Sequence, residues 1–172
     1  LHYPLSRQRQ MCIRDRVSTD ARTACYQIRS TPFFDPRNVG VPLMERLVEL
    51  HNTVNGPMYL VTTDTVICES LRQTGDYAPE EKSLLGELIT TGATVVDVGA
   101  NVGNHTLFFS KQVGSKGRVL SFEPQRFLFQ VLCANALLGQ FRNIWPYRLA
   151  VGDVVGAVDI PVPNYERPNH FG

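Results

Sequence analysis

The chain has 172 residues, 43% of them hydrophobic and 19% charged, with a formal net charge of +1 at pH 7. That is an ordinary globular composition with room for one core, and it excludes extended disorder, an acidic tail and a nucleic-acid footprint resting on bulk charge. No apolar run approaches the roughly 18 residues of a membrane span, no secretory signal opens the chain, and Cys12, Cys25, Cys68 and Cys133 lack metal-ligand spacing. The expectation is a cytoplasmic protein with reduced thiols, no metal, no membrane partner and no nucleic-acid partner.

Residues 7–16, RQRQMCIRDR, follow neither a period of 2 nor one of 3.6. The string resembles a sequencing adapter read through in one frame, so residues 1–16 are set aside as an artefact expected to be disordered. Val17–Arg37, with Pro32 and Pro36 bracketing Phe33-Phe34-Asp35, reads as a loop with room for one short helical turn. Pro42 can open a helix carrying Leu43, Met44, Leu47, Leu50 and His51 on one face, closed by Asn55-Gly56-Pro57. Met58–Val61 and Thr65–Cys68 are β-prone runs joined across Thr63-Asp64, which predicts a hairpin. Gly75–Glu81 then gives a turn and a helix start, with Leu84, Leu85, Leu88 and Ile89 as its buried stripe and Gly92 as its stop. Residues 17–92 thus form an N-terminal unit of helices and a hairpin leading into the core.

From residue 93 the pattern becomes strand and helix in alternation. Thr94–Val98 is a strand, Gly99–Gly103 a glycine-rich turn, and a helix with Leu107, Phe108 and Phe109 follows. Arg118–Glu123 is a second strand, ended by Pro124 and followed by a helix bearing Phe127, Leu128, Val131, Leu132 and Leu138. Ile144–Val151 is a third strand whose Pro146 suits an edge, and Val154–Pro161 alternates around Gly156 like a hairpin arm. The fold class implied is α/β, a doubly wound parallel sheet with helices on both faces.

The strand–glycine turn–helix unit aims backbone N–H groups and the positive end of a helix at the sheet mouth, where an anionic ligand group can sit. A dinucleotide fingerprint would need glycines at positions 101 and 104, which are Asn101 and Asn104. What stands there is Asp97-x-Gly99-x-Asn101-x-Gly103, a carboxylate near the strand end that suits an ammonium group better than a phosphate. Glu123, at the end of the second strand, can accept both hydroxyls of a ribose. A ligand with an ammonium, a carboxylate and a ribose but no phosphate describes S-adenosylmethionine. Asn101 and Asn104 suit the loop backbone and the helix cap, and His105 reads as a positioning or packing residue rather than a general base. Tyr77 is open to two readings, a cover over the site or packing.

The strings VVDVGANVGNHTLFFSK, GRVLSFEP and LAVGD, with GDYAPEE before them and NHFG after, resemble the FkbM-like family of S-adenosylmethionine-dependent methyltransferases across residues 57–172. The resemblance implies a class I, Rossmann-like sheet and a cofactor held by Asp97, Gly99, Ala100, Asn101, Gly103 and Asn104. By the same resemblance Glu123 takes the ribose, Pro124 borders the adenine and Asp153 reaches the adenine amino group. It implies methyl transfer to a hydroxyl of a sugar or small metabolite, with no catalytic residue assignable. By that comparison the sheet is truncated after about its third core strand, residues 93–172 being the N-terminal half of the domain, and the fragment alone is expected to be inactive. An NAD(P)-dependent oxidoreductase and a noncatalytic cofactor-binding module are the alternatives, the first weakened by the missing glycines.

Overall fold

A computed structural model describes residues 24–29, as backbone, and residues 47–171. The adapter-like start and residues 42–46 of the expected first helix lie outside the described residues. The elements in order are β1 (Ala24–Arg29), β2 (Val48–Thr53), β3 (Gly56–Val61), α1 (Ile67–Thr74), α2 (Pro79–Leu88), β4 (Thr94–Val98), α3 (Asn104–Val113), β5 (Arg118–Phe122), α4 (Arg126–Leu138), β6 (Ile144–Tyr147), β7 (Ala150–Gly152) and β8 (Gly156–Asp159).

The N-terminal unit departs from expectation in four places, the first being that Ala24–Arg29, inside the stretch expected as a loop, form strand β1. Residues 48–53 form a strand antiparallel to β3 rather than the end of a helix, in register from Val48↔Val61 to Thr53↔Gly56. His51, Asn52 and Thr53 are weak helix formers leading into Asn55-Gly56, and Gly56 takes a φ of +103° that a hairpin turn can use. Leu50, assigned to the buried face of a helix, is 55% exposed. The expected hairpin arm at residues 65–68 is instead the start of α1, because the Asp64 carboxylate accepts the N–H groups of Val66 at 2.9 Å and Cys68 at 3.0 Å and turns the chain into a helix. In α2 the inward stripe is Lys82, Leu85 and Ile89, whereas Leu84 and Leu88 face solvent. Lys82 is buried with its ammonium paired to Asp76 and 5.8 Å from the centre of the Phe108 ring.

The β–α alternation after residue 93 is as expected. β4, β5 and β6 form a parallel sheet in that order, with Val95↔Val119↔Ile144 and Asp97↔Ser121↔Pro146 in register. α3 packs on this sheet, and α4 lies between β6 and the β2–β3 hairpin. Met58, Leu60, Leu107, Val119, Leu128 and Leu132 are all fully buried in this core. Among the described residues the helices cover one face of the sheet and not both, so Val96, Val98 and Trp145 are exposed on the other. β6 is an edge, as Pro146 implied, but the expected third strand breaks after Tyr147. Residues 150–152 leave as β7, which flanks β1 with β8 on its far side, so β8 is no hairpin partner of β7. Among the described residues no helix is long and apolar enough to cross a membrane, and no cluster of metal-ligating side chains occurs.

Candidate functional site

The turn between β4 and α3 is held against the end of β5 by main-chain bonds. The N–H groups of Gly99 and Ala100 both donate to the Phe122 carbonyl, at 2.9 and 3.0 Å, and Gly103 N–H closes the turn on Ala100 O at 2.8 Å. Gly99, Asn101 and Gly103 have φ of +80°, +50° and +96°, so the alternation of small or turn-tolerant residues seen in the sequence is a run of left-handed conformations. Gly103 has a second constraint, since a Cβ there would stand 2.7 Å from Leu132 Cδ1. At Gly99 a Cβ would meet nothing within 4 Å, which marks the open side of the loop.

Two carboxylates meet at this turn. Asp97 is buried at the end of β4 and accepts the Thr106 hydroxyl; burial raises its pKa, opposed by that hydrogen bond and by His105. Glu123 is 3% exposed, and its oxygens accept Asn101 N–H (Oε2) and Gln125 N–H (Oε1), each at 2.8 Å. Burial pushes its pKa up, the two N–H donors pull it down, and the negative charge of Asp97 adds to the rise. Glu123 is therefore a staple between the β4 and β5 turns, a role its place at a strand end did not announce.

The start of α3 provides the complementary charge. Its N-cap is Gly103, with no side-chain cap and no acidic residue in the first turn, which leaves its first amides without a side-chain acceptor. Asn101 is 6% exposed, and its Oδ1 takes Val102 N–H at 2.7 Å while Nδ2 is a buried donor with no partner. Asn104, expected as a cap or ligand residue, is the first helical residue. Its side chain donates to Tyr77 O at 3.2 Å and accepts from Asn55 at 3.2 Å, which ties the hairpin turn and the α2 approach to the loop. Tyr77 and His105 meet edge to face at 6.3 Å, and His105 Nε2 stands 3.8 Å from Glu81, a packing position in line with the sequence reading. Ala100 is 4% exposed, Pro124 is half-buried beside Glu123, and Asp153 is exposed in the bend after β7.

Three supporting residues escaped the sequence reading. Asn135 is fully buried in α4, accepts Tyr59 N–H at 2.6 Å and donates to Tyr59 O at 3.0 Å and Val102 O at 2.8 Å, which joins the hairpin to the glycine turn. Its signal was an amide inside the apolar stripe of Leu128, Val131 and Leu132. Asn55 and Gln125 had no such signal, being polar residues in turns.

Residues 97–171 match the family profile described as methyltransferase FkbM domain. No curated protein matches the chain. Among solved structures, a SAM dependent methyltransferase from Aquifex aeolicus shares 29% identity over 40% of this chain and 36% of its own, with a TM-score of 0.36. TYW2 from P. horikoshii in complex with MeSAdo shares 17% over 62% and 37%, with a TM-score of 0.47. Trm5b from Pyrococcus abyssi shares 18% over 62% and 28%, with a TM-score of 0.43. The chain thus spans between 28% and 37% of the length of these three structures. The stretch that matches the FkbM methyltransferase domain, residues 97–171, begins at the site carboxylate Asp97.

Proposed function

We propose that the Gly99–Gly103 turn holds S-adenosylmethionine and that the chain carries the cofactor site of a methyltransferase acting on a hydroxyl of a sugar or small metabolite. The observation that carries this reading is the uncapped start of α3 with the unpartnered, buried Asn101 Nδ2 beside two carboxylates. A ligand carboxylate satisfies the helix amides and the Asn101 donor, and a ligand ammonium offsets the charge that burial makes costly on Asp97. Each Glu123 oxygen keeps a second lone pair after accepting its backbone N–H, so the same carboxylate can take ribose hydroxyls. Pro124 then lies beside the adenine, with Asp153 assigned to its amino group. Gly99 leaves the loop open to the ligand and the buried Ala100 backs it, whereas the committed side chain of Asn104 supports the wall of the site. The cofactor, when bound, supplies an electrophilic methyl group, and the chain's own part is to bind and orient it and to exclude water.

Calorimetric titration with S-adenosylhomocysteine tests this. The expected result is saturable binding lost in Asp97→Asn and Glu123→Gln, and, in protein made from the gene's whole reading frame, methyl transfer from labelled cofactor to a hydroxyl acceptor. Retention of NADH with no response to S-adenosylhomocysteine overturns the cofactor assignment. Labelling of tRNA rather than of sugars or small metabolites in the same assay overturns the acceptor class.

A further inference from the structure

Glu123 is placed by a neighbour that the cofactor reading does not use. Gln125 donates its backbone N–H to Glu123 Oε1, and both polar atoms of its side chain engage the end of the described chain. Its Oε1 accepts the Tyr165 hydroxyl at 2.7 Å and its Nε2 donates to Phe171 O at 2.7 Å. As the N-cap of α4, Gln125 makes no side-chain capping bond, so its amide serves residues 164–171 instead of its own helix.

Residues 164–171 are fastened at both sides of that amide. The Tyr165 ring packs on Phe127 at 4.6 Å and on Phe171 at 4.7 Å, and Phe171 is 2% exposed. Thr63 Oγ1 donates to Tyr165 O at 2.7 Å, Asn169 N–H to Thr63 O at 3.0 Å, and Thr65 N–H to Asn169 O at 3.0 Å. The Tyr165 phenol lies close enough to Glu123 that the carboxylate helps push its pKa up to about 12, after burial. The segment is therefore a strap from the β3–α1 turn across the start of α4, ending at the group that fixes one oxygen of Glu123.

We propose that this strap sets the orientation of the Glu123 carboxylate for a vicinal diol, with Gln125 and Tyr165 as positioning residues that determine preference for a ribose over a deoxyribose ligand. The inference rests on the proposed role of Glu123. A carboxylate can accept two adjacent hydroxyls only if its plane is held, and here that plane is held by Asn101 N–H on one oxygen and Gln125 N–H on the other. Releasing the Gln125 side chain keeps that backbone N–H, still anchored to α4 by Phe129 N–H on Gln125 O at 2.9 Å, but removes the tether to residues 165 and 171 that fixes its angle to Glu123 Oε1.

The test is the ratio of affinities for S-adenosylhomocysteine and its 2′-deoxy analogue, measured by calorimetry on the full chain. Tyr165→Phe removes the hydroxyl and keeps the ring; Gln125→Ala removes both strap contacts. Each variant is expected to cut the preference for the ribose ligand about five- to tenfold while binding the deoxy analogue as the wild type does. Equal weakening toward both ligands, or an unchanged ratio in both variants, overturns the positioning role. Glu123→Gln is run beside them: if it keeps the full preference, or if the wild type binds neither ligand, the underlying cofactor reading fails and the strap's role falls with it.

Discussion

Replacing Gly103 by alanine isolates what the glycine turn demands of its last residue. At a φ of +96° an L side chain is strained, at about 1–2 kcal/mol. The new Cβ would also lie 2.7 Å from Leu132 Cδ1 and 3.3 Å from Leu107 Cδ1, and both leucines are fully buried with no solvent to swing into. Forced overpacking of this kind costs about 1–3 kcal/mol, so the total expected loss is about 2–5 kcal/mol, a large share of an ordinary domain's stability. Urea denaturation followed by far-ultraviolet circular dichroism measures it. Gly99→Ala is the matched control, because its φ is +80° but its Cβ would enter open space. It is expected to lose only about 1–2 kcal/mol of stability while abolishing binding of S-adenosylhomocysteine. Equal stability losses in the two variants, or a Gly103→Ala protein within about 0.5 kcal/mol of wild type, would refute the packing account.

Asn135→Leu removes three hydrogen bonds and strands Tyr59 N–H and Val102 O in the core, so a loss of about 2–4 kcal/mol is expected in the same assay; a change inside about 0.5 kcal/mol would show that the bridge between hairpin and glycine turn is dispensable. Asp97 and Glu123 have folded pKa values above the ordinary carboxylate range. The folded chain then holds more protons than the unfolded one across that window, so the contribution of these groups is fully present below about pH 4 and is lost as pH rises through the raised values. Asp97→Asn should flatten this slope in denaturation curves taken from about pH 4 to 7, and an unchanged slope would count against burial as the cause. The Cys68 thiol is buried and pushed up to about 12, chiefly by burial and then by Asp64, whereas Cys133 is only partly covered and its pKa is raised by burial alone. Peptide-level mass spectrometry after maleimide treatment near pH 8 should find Cys133 modified before Cys68, and the reverse order would contradict the packing of α1 on the hairpin.

Much of the site was legible because its grammar is local. The apolar run of β4, the left-handed turn that Gly99, Asn101 and Gly103 can adopt, and the amphipathic α4 are each written in a few consecutive residues, and the parallel order β4-β5-β6 follows from their alternation with helices. The N-terminal unit was harder. Residues 48–53 carry a pattern compatible with a helix, and only the antiparallel partner at 56–61 makes them a strand. The inward side of α2 likewise could not be chosen by hydrophobicity, since a lysine whose charge is met by Asp76 took the place assigned to Leu84 and Leu88.

What the sequence determined by itself is the chemical inventory at one loop: two carboxylates, a helix start and a turn too short of glycines for a pyrophosphate. Tertiary structure decided how that inventory is held. Glu123 staples two turns through backbone N–H groups, Asn104 spends its amide on Asn55 and Tyr77, and Gln125 spends its own on residues 165 and 171. These choices join atoms 22 to 49 residues apart in the chain. A buried polar group must find a partner wherever the fold brings one, and no local pattern records which partner that is.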